Sequence, residues 1–391
     1  MTITAAVGLG HAVDGREAGL QAAHHALKGL GVASPSLGFL FASTHYAPRD
    51  VLNGAISLLG DTPIIGLSSP AGLSQAGQHP NSVTIALLAG DIEADAHWFS
   101  GYAQSGRETA QKLTQMAASA DNKAVLLFAD GFNGDAEQFC AAMEDGAFPL
   151  VGGLSSGDLH TGSTYQMAGN QSGTGGLAAA ILRGDVRIGI GYAHGWDPVG
   201  SQLRITRSRG FWIRTLNGRP ASETYAELFG QPARDWAFPP LSYLARLYPL
   251  GIDQGDDLVV RAPIRVEADG SFRMNAPVND GADAYLLVGS RAACEKAATK
   301  ASQDALLALG GPKPAFALVL ADIAWQLMLE SHPGADIAAV RDILGPDVPI
   351  AGAYTLGQIV PGKAVTQPGQ LASHPQFLNQ HIVVVAFASP S

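Results

Sequence analysis

The segment Pro63-Ile-Ile-Gly-Leu-Ser-Ser-Pro decides the predicted fold, because two similar segments follow it along the chain. They are Pro149-Leu-Val-Gly-Gly-Leu-Ser-Ser and Pro349-Ile-Ala-Gly-Ala-Tyr-Thr-Leu. Each begins with a proline, continues as a short apolar strand and ends in small or polar residues. Such self-similarity indicates a protein built from repeated units, so we expect the three segments to occupy equivalent places in three units.

An apolar run and a helix-forming stretch precede each of these segments. In the second copy the helix-forming stretch is Asp135–Glu144, which carries apolar residues at helical spacing. A helix between two strands usually connects parallel neighbours, with a right-handed crossover. The apolar runs, which predict buried strands, are Leu37–Ala42, Ala124–Ala129 and Phe316–Ala321.

The agreement extends to the elements on either side of these runs. Upstream lie three amphipathic, alanine-rich helices, predicted over Arg16–Leu30, Gly106–Ala118 and Arg291–Leu309. Short strands are predicted before these helices, at Ala5–Leu9, His97–Tyr102 and Tyr285–Val288. Closing strands are predicted at Ser82–Leu88, Gly176–Leu182 and His381–Phe387. The unit is therefore strand, helix, strand, helix, strand, loop and strand.

The segment Asp185–Asn279 differs from the repeats, since it consists of short alternating runs with hairpin signals. It predicts a mostly β insert between the second and third units, with one helix near Tyr225–Phe229 and a proline-rich linker at Pro232–Pro249. The predicted fold is thus mixed α/β: three strand-helix-strand-helix-strand repeats that form mixed sheets, with the insert between them. We expect two domains, at residues 1–230 and 231–391.

Composition excludes several classes of protein. The 391 residues carry a net charge of -10, which argues against nucleic-acid binding. The arginines between Arg204 and Arg219 are expected on solvated strand faces. Two cysteines far apart give neither a disulfide framework nor a zinc motif, and no signal peptide or membrane span is evident. We therefore expect a cytoplasmic protein that binds neither nucleic acid nor membrane.

One motif is typical of an enzyme. Gly153-Leu-Ser155-Ser-Gly157 matches a nucleophile elbow, but the polar, glycine-rich stretch that follows does not predict the helix that an elbow needs. A glycine-rich loop beside a ligand is the preferred interpretation, so we expect no catalytic residue. The alternative is a hydrolase that uses Ser155, or an Asp158 and Asp322 carboxylate pair, as nucleophile or acid/base.

Eleven histidines are present without metal-ligand spacing, so no metal site is predicted. Haem needs only one axial ligand and stays open as a cofactor, with His194 and His381 as candidates.

The polar residues after the repeated strands are the main candidates for ligand binding. The carboxyl ends of parallel strands converge, and ligands of open α/β sheets bind there. The hydroxyl, carboxylate and amide groups expected to orient a small polar molecule belong to Ser68, Ser69, Ser155, Ser156, Asp158, Tyr354, Thr355 and Gln358. The alternative is that these residues only form turns.

The ordered motifs together resemble the FIST family, with its paired amino-terminal and carboxyl-terminal domains. Besides the repeated segments, they are Gly72, Gly195-Trp-Asp-Pro-Val-Gly200, Asn217-Gly-Arg-Pro-Ala221 with Tyr225, and Gly352-Ala-Tyr-Thr-Leu-Gly357. The resemblance implies a sensory module that binds a small ligand, with amino acids proposed for the family. Some members bind haem and report nitric oxide to a histidine kinase. We expect a stand-alone sensor that signals through a separate partner such as a histidine kinase or cyclase.

Four positions depart from the family pattern. Asp322 and Trp325 stand where a cysteine and an arginine are usual, Gln358 replaces a glutamate, and Leu378 replaces a histidine before Asn379. We therefore add Gly72, Asp322, Trp325 and Asn379 to the candidate ligand site. A lost arginine and a gained carboxylate predict a cationic or neutral ligand rather than an anionic one.

Overall fold

A computed structural model describes residues 2–119, 121–143, 148–157, 162–238, 241–255, 258–362 and 374–390. Over these residues the strands form three six-stranded sheets and one eight-stranded sheet. This mixed α/β architecture confirms the predicted fold class. No helix in the described ranges has the length and apolar character needed to cross a bilayer.

The first unit forms four strands of one sheet and lends a hairpin to another. Its elements are β1 (Thr4–Gly10), α1 (Gly15–Leu30), β2 (Leu37–Ala42), α2 (Pro48–Leu59), β3 (Ile64–Ser68), β4 (Ala71–Ser74), β5 (Gly77–Pro80) and β6 (Val83–Ala89). Strands β2 and β3 are parallel neighbours, whereas β6 pairs antiparallel with both β1 and β2. Helix α1 begins at Asp14, whose carboxylate accepts the backbone N–H of Glu17.

The second unit has the same pattern of pairing. Its elements are β7 (Ile92–Phe99), α3 (Gly106–Met116), β8 (Ala124–Ala129), α4 (Ala136–Ala142), β9 (Leu150–Leu154), β10 (Gln166–Ala168), β11 (Gln171–Gly173) and β12 (Leu177–Gly184). Strands β8 and β9 are parallel, and β12 lies antiparallel between β7 and β8.

The third unit is interrupted by the insert. It begins with β13 (Arg187–His194). The insert follows, with β14 (Trp196–Arg209), β15 (Trp212–Leu216), β16 (Arg219–Pro220), α5 (Ala221–Phe229), a 3-10 helix (Ala233–Ala237), α6 (Leu241–Leu247), β17 (Leu250–Asp253), β18 (Leu258–Arg261), β19 (Pro263–Val266), β20 (Phe272–Met274) and β21 (Asp283–Gly289). The unit resumes with α7 (Arg291–Leu309), β22 (Phe316–Asp322), α8 (Ile323–Met328), α9 (Ala335–Leu344), β23 (Ile350–Thr355), β24 (Gln358–Pro361), β25 (Pro375–Leu378) and β26 (His381–Ala388).

Two expectations about this region are wrong. The first strand of the third sheet is β13, which pairs with β26, whereas the predicted strand Tyr285–Val288 lies in the insert sheet beside β14 and β17. Both are short strands, and only β21 directly precedes α7 in sequence, because the insert separates β13 from α7. The predicted linker Pro232–Pro249 is also folded, since Trp236 and Arg246 within it are buried.

Each repeat sheet is completed by a hairpin from another unit. The pair β10 and β11 extends the first sheet at β3, the pair β24 and β25 extends the second at β9, and the pair β4 and β5 extends the third at β23. The inner faces of the sheets meet in an aromatic cluster in which Phe39 stacks on Phe316 at 5.9 Å and contacts Phe128 edge-on. The exchange ties the three units into one body, while the predicted division at residue 230 stays a prediction.

Candidate functional site

The small polar residues after β3, β9 and β23 come together where the three sheets meet. Ser69 Oγ donates to the backbone O of Tyr354 and accepts from its N–H, both at 3.0 Å. Ser68 Oγ donates to the backbone O of Ser156 at 2.9 Å, and Ser156 Oγ donates to Tyr354 O. All four residues are at most 1% exposed. These hydroxyls therefore bond to the main chain of a neighbouring unit.

A glutamine from each of two hairpins holds the adjacent hydroxyl group. Gln166 Nε2 donates to Ser155 Oγ at 2.7 Å, and Gln358 Nε2 donates to Thr355 Oγ1 at 2.8 Å. The glutamine oxygens accept the backbone N–H groups of Gly176, directly before β12, and of His381, the first residue of β26. Sequence reasoning found Gln358 and missed Gln166, although both begin the hairpin strand that follows a repeated segment.

In the first unit a glycine stands where these glutamines do. Gly72 pairs with Ala353 as Gln358 pairs with Gly153 and Gln166 pairs with Leu67. A Cβ at Gly72 would lie 2.1 Å from Thr84 Oγ1. Gly72 therefore allows its strand to pack closely against Thr84, and it does not face an open cavity.

Aspartates at the ends of β8 and β22 play matching structural roles. Asp130 accepts the backbone N–H of Gly175 at 2.7 Å, and Asp322 accepts that of Gln380 at 3.1 Å. Both donors have positive φ angles, 68° and 60°. Sequence reasoning found Asp322 and missed Asp130, although both directly follow an alanine that ends a buried apolar run.

Asp322 forms an ion pair with an arginine of the insert. Arg246 Nη2 lies 2.9 Å from Asp322 Oδ1, and both side chains are at most 1% exposed. Asp322 also accepts the backbone N–H of Ala324 at the start of α8. The expectation that Asp322 would favour a cationic ligand is therefore wrong, because an internal arginine already supplies the positive charge.

The other candidates of the third unit are also buried. Trp325 Nε1 donates to Gln380 O at 2.9 Å, and the Tyr354 hydroxyl donates to Asp336 Oδ2 at 3.0 Å. Burial raises the pKa of Tyr354 well above its usual range. Asn379 is fully buried, and neither side-chain atom has a partner among the described residues. Asp158 lies outside the described residues.

The two histidine candidates face each other across paired strands. His194 and His381 are register partners on β13 and β26, with ring centroids 4.8 Å apart. Burial, with a smaller effect from His194, lowers the pKa of His381 to about 3, and its Nδ1 is bonded to Asn379 O at 2.7 Å. The packing fits a haem poorly, because a porphyrin on His381 would have to displace the facing imidazole and the core around it.

A cavity of about 530 Å³ lies between the second unit and the insert, and we call it the interface cavity. The second unit supplies residues before α3, after β8 and before β12. The insert supplies residues of β19 and β20 and the turn before β15. The lining residues are Ala103, Gln104, Gly131, Phe132, Asn133, Gly134, Ala136, Leu154, Thr174, Gly175, Phe211, Trp212, Ile264, Arg273, Met274 and Asn275.

Polar side chains line this cavity on both sides: Gln104, Asn133 and Thr174 belong to the second unit, and Arg273 and Asn275 belong to β20 and the residue after it. Arg273 Nη2 donates to Phe132 O at 3.0 Å, and Asn275 Nδ2 donates to Leu356 O at 3.0 Å. Both bonds connect the insert to the repeats. Sequence reasoning missed these residues, because the insert has no repeated counterpart that would single them out. None of the predicted site residues that the structure describes lines the interface cavity; Ser155 lies behind Gly131, whose N–H donates to its hydroxyl.

Comparison with protein-family models identifies the family of this chain. The FIST N domain matches residues 36–219, and the FIST C domain matches residues 221–361. The chain therefore belongs to the FIST family, whose domains are small-ligand-binding sensory domains of signalling proteins. No match is found among curated proteins.

The similarity to solved structures is low. Cyanuric acid hydrolase from A. caulinodans is 9% identical with a TM-score of 0.39, covering 100% of this chain and 99% of that chain. A chorismatase is 9% identical with a TM-score of 0.34, again covering 100% and 99%. PurL from T. maritima, complexed with FGAR, is 10% identical with a TM-score of 0.24, covering 99% of this chain and 72% of that chain.

Proposed function

We propose that the sensory ligand of this protein binds in the interface cavity and that occupancy is passed to a separate signalling partner. The observation that carries the proposal is the cavity's position. Its walls come from the loops of the second unit, within the FIST N match, and from β19 and β20, within the FIST C match. A molecule bound there contacts both parts of the chain.

Such a position suits signalling. A ligand that contacts both walls of the cavity stabilises the conformation in which the two walls are close enough to bind it. Near the cavity, the side chains of Arg273 and Asn275 bond the insert to backbone carbonyls of the repeats. A ligand that engages these side chains changes how firmly the insert is held. The altered surface of the insert is then available to a partner such as a histidine kinase or cyclase.

A hydrolase that uses Ser155 is the first alternative. The Ser155 hydroxyl is fully buried and accepts hydrogen bonds from Gln166 Nε2 and Gly131 N. A nucleophilic serine instead needs a base that accepts its proton. These contacts support a structural role, and turnover abolished by Ser155→Ala in a folded protein would establish the enzyme instead.

Haem-based nitric oxide sensing through His194 or His381 is the second alternative. The lowered pKa values of both histidines keep the imidazoles neutral, as metal coordination requires, but their mutual packing argues against it. A Soret band that appears on haem addition and is lost in His381→Asn would favour this alternative.

Native mass spectrometry of protein purified from cells tests the proposal. The wild type should retain a small organic mass or take one up from a cell extract. Thr174→Trp should lose it, because Thr174 is an exposed residue at the cavity wall and an indole there fills the entrance. The control is Gln111→Trp, on an exposed position of α3 away from the cavity. Equal retention by the two variants would refute the cavity as the binding site.

A further inference from the structure

We infer that the ligand of the interface cavity is a carboxylic acid with an aromatic or apolar body and no compensating positive charge. The inference rests on the proposed function, since it names the class of molecule that the same cavity takes.

The charge of the cavity carries the first step. Arg273 is the single ionisable side chain among the described lining residues, and none of these residues is an aspartate or glutamate. No described carboxylate lies within ion-pair distance of its guanidinium group. The negative charge of Glu267 acts on Arg273, but Glu267 forms its ion pair with Arg265. An uncompensated guanidinium in a partly desolvated place favours an anion, above all a planar carboxylate.

The rest of the wall is apolar and aromatic. Phe132, Phe211, Ile264 and Met274 line the cavity, and the Trp212 ring lies with its centroid 5.8 Å from the Arg273 guanidinium carbon. A flat ring bound between these groups gains buried apolar area while its carboxylate meets the arginine. These walls favour an aromatic body over a small, fully polar one.

The charges of the cavity lining also disfavour zwitterionic ligands. An amino acid would bring an ammonium group into a cavity whose described lining offers it no carboxylate, and its own charge would repel Arg273. The cavity therefore discriminates against free amino acids and amines while accepting the matching acids.

Four molecules that share a 4-hydroxyphenyl ring separate these cases by calorimetry. They are 4-hydroxyphenylacetate, an anion; 4-hydroxyphenylacetamide, neutral; tyramine, a cation; and L-tyrosine, a zwitterion. The acid should bind at least about tenfold more tightly than each of the others, the difference expected for one charge-assisted hydrogen bond. Equal or tighter binding of the amide, amine or amino acid, or no binding of the acid, would overturn the inference.

Variants locate the effect. Arg273→Gln should abolish the preference for the acid over the amide, whereas Arg273→Lys should keep it because the charge remains. Arg207→Gln removes an exposed arginine outside the cavity and should behave as wild type. A preference that survives Arg273→Gln would refute the assignment.

The outcomes also separate this inference from the proposed function. Tyrosine or tyramine binding that Thr174→Trp removes would leave the cavity as the sensory site and refute only the anionic class. Binding of the acid that Thr174→Trp leaves intact would refute both.

Discussion

Arg246 in the insert and Asp322 at the end of β22 form an ion pair that is buried on both sides, with Nη2 and Oδ1 2.9 Å apart. The pair links the insert to the third unit, and Gln380 Nε2 adds a bond to the backbone O of Arg246. The insert is therefore anchored to the repeats through charge as well as through apolar packing.

Removing the arginine should destabilise the protein strongly. Arg246→Met leaves Asp322 buried without its counter-charge, which is expected to cost about 3–5 kcal/mol in the free energy of unfolding by denaturant. The double variant Arg246→Met/Asp322→Asn should recover much of this loss, because no buried charge remains. The control Arg204→Met breaks an exposed pair with Asp283 and should cost about 1 kcal/mol or less. Equal losses at the two arginines would contradict the account.

The glutamines of the two hairpins should contribute equally. Gln166→Met and Gln358→Met each remove one hydrogen bond from a buried hydroxyl and leave a backbone N–H without its partner, so each should lower the free energy of unfolding by about 1–3 kcal/mol. Gln111→Met, on an exposed face of α3, should have little effect. A large loss at one glutamine and none at the other would show that the two units are not equivalent in this respect.

His381 should make stability depend on pH. Its pKa falls from 6.5 in the unfolded chain to about 3 in the folded protein, chiefly through burial. The unfolded chain therefore binds the proton first, so this contribution to stability is full above pH 6.5 and is lost as pH falls from there towards 3.

Unfolding measured at several pH values checks this expectation. His381→Asn should reduce the slope of stability against pH between 6 and 4 by up to about 1.4 kcal/mol per pH unit. His24→Asn, at an exposed position of α1, should keep the wild-type slope. An unchanged slope in His381→Asn would mean that His381 does not stay neutral in the folded protein.

Asp336 should act in the opposite sense. Burial raises its pKa, although the Tyr354 hydroxyl bonds to it, so the protonated form is favoured on folding. This contribution is present at low pH and is lost as pH rises through the raised pKa. Asp336→Asn should therefore gain stability relative to wild type as pH rises from 3 to 7, as measured by thermal unfolding. A constant difference would contradict this.

The paired strands of the repeats could be predicted because they are buried on both faces. Strands β2, β8 and β22 are continuous apolar runs, and each precedes a segment that starts with proline. Strand β13 lies within the segment assigned to the β insert, and the strand directly before α7 was assigned to the repeat instead. A signal was available: Gly189 and Gly191 let α7 approach β13 closely, as Gly8 and Gly10 do for α1 and β1.

The site was harder to predict than the fold. The serines after β3 and β9 do converge, but sequence does not show that their hydroxyls bond the main chain of a neighbouring unit. The interface cavity depends on contacts between residues far apart in sequence, such as Arg273 with Phe132. No local pattern encodes such a contact, so Arg273 and Asn275 became visible only in the folded chain.

A crystal structure of the protein grown with 4-hydroxyphenylacetate would show where the ligand binds. We expect density for the acid in the interface cavity, with its carboxylate within hydrogen-bond distance of the Arg273 guanidinium group. Density at the buried serines between the three sheets, with the interface cavity empty, would contradict this expectation.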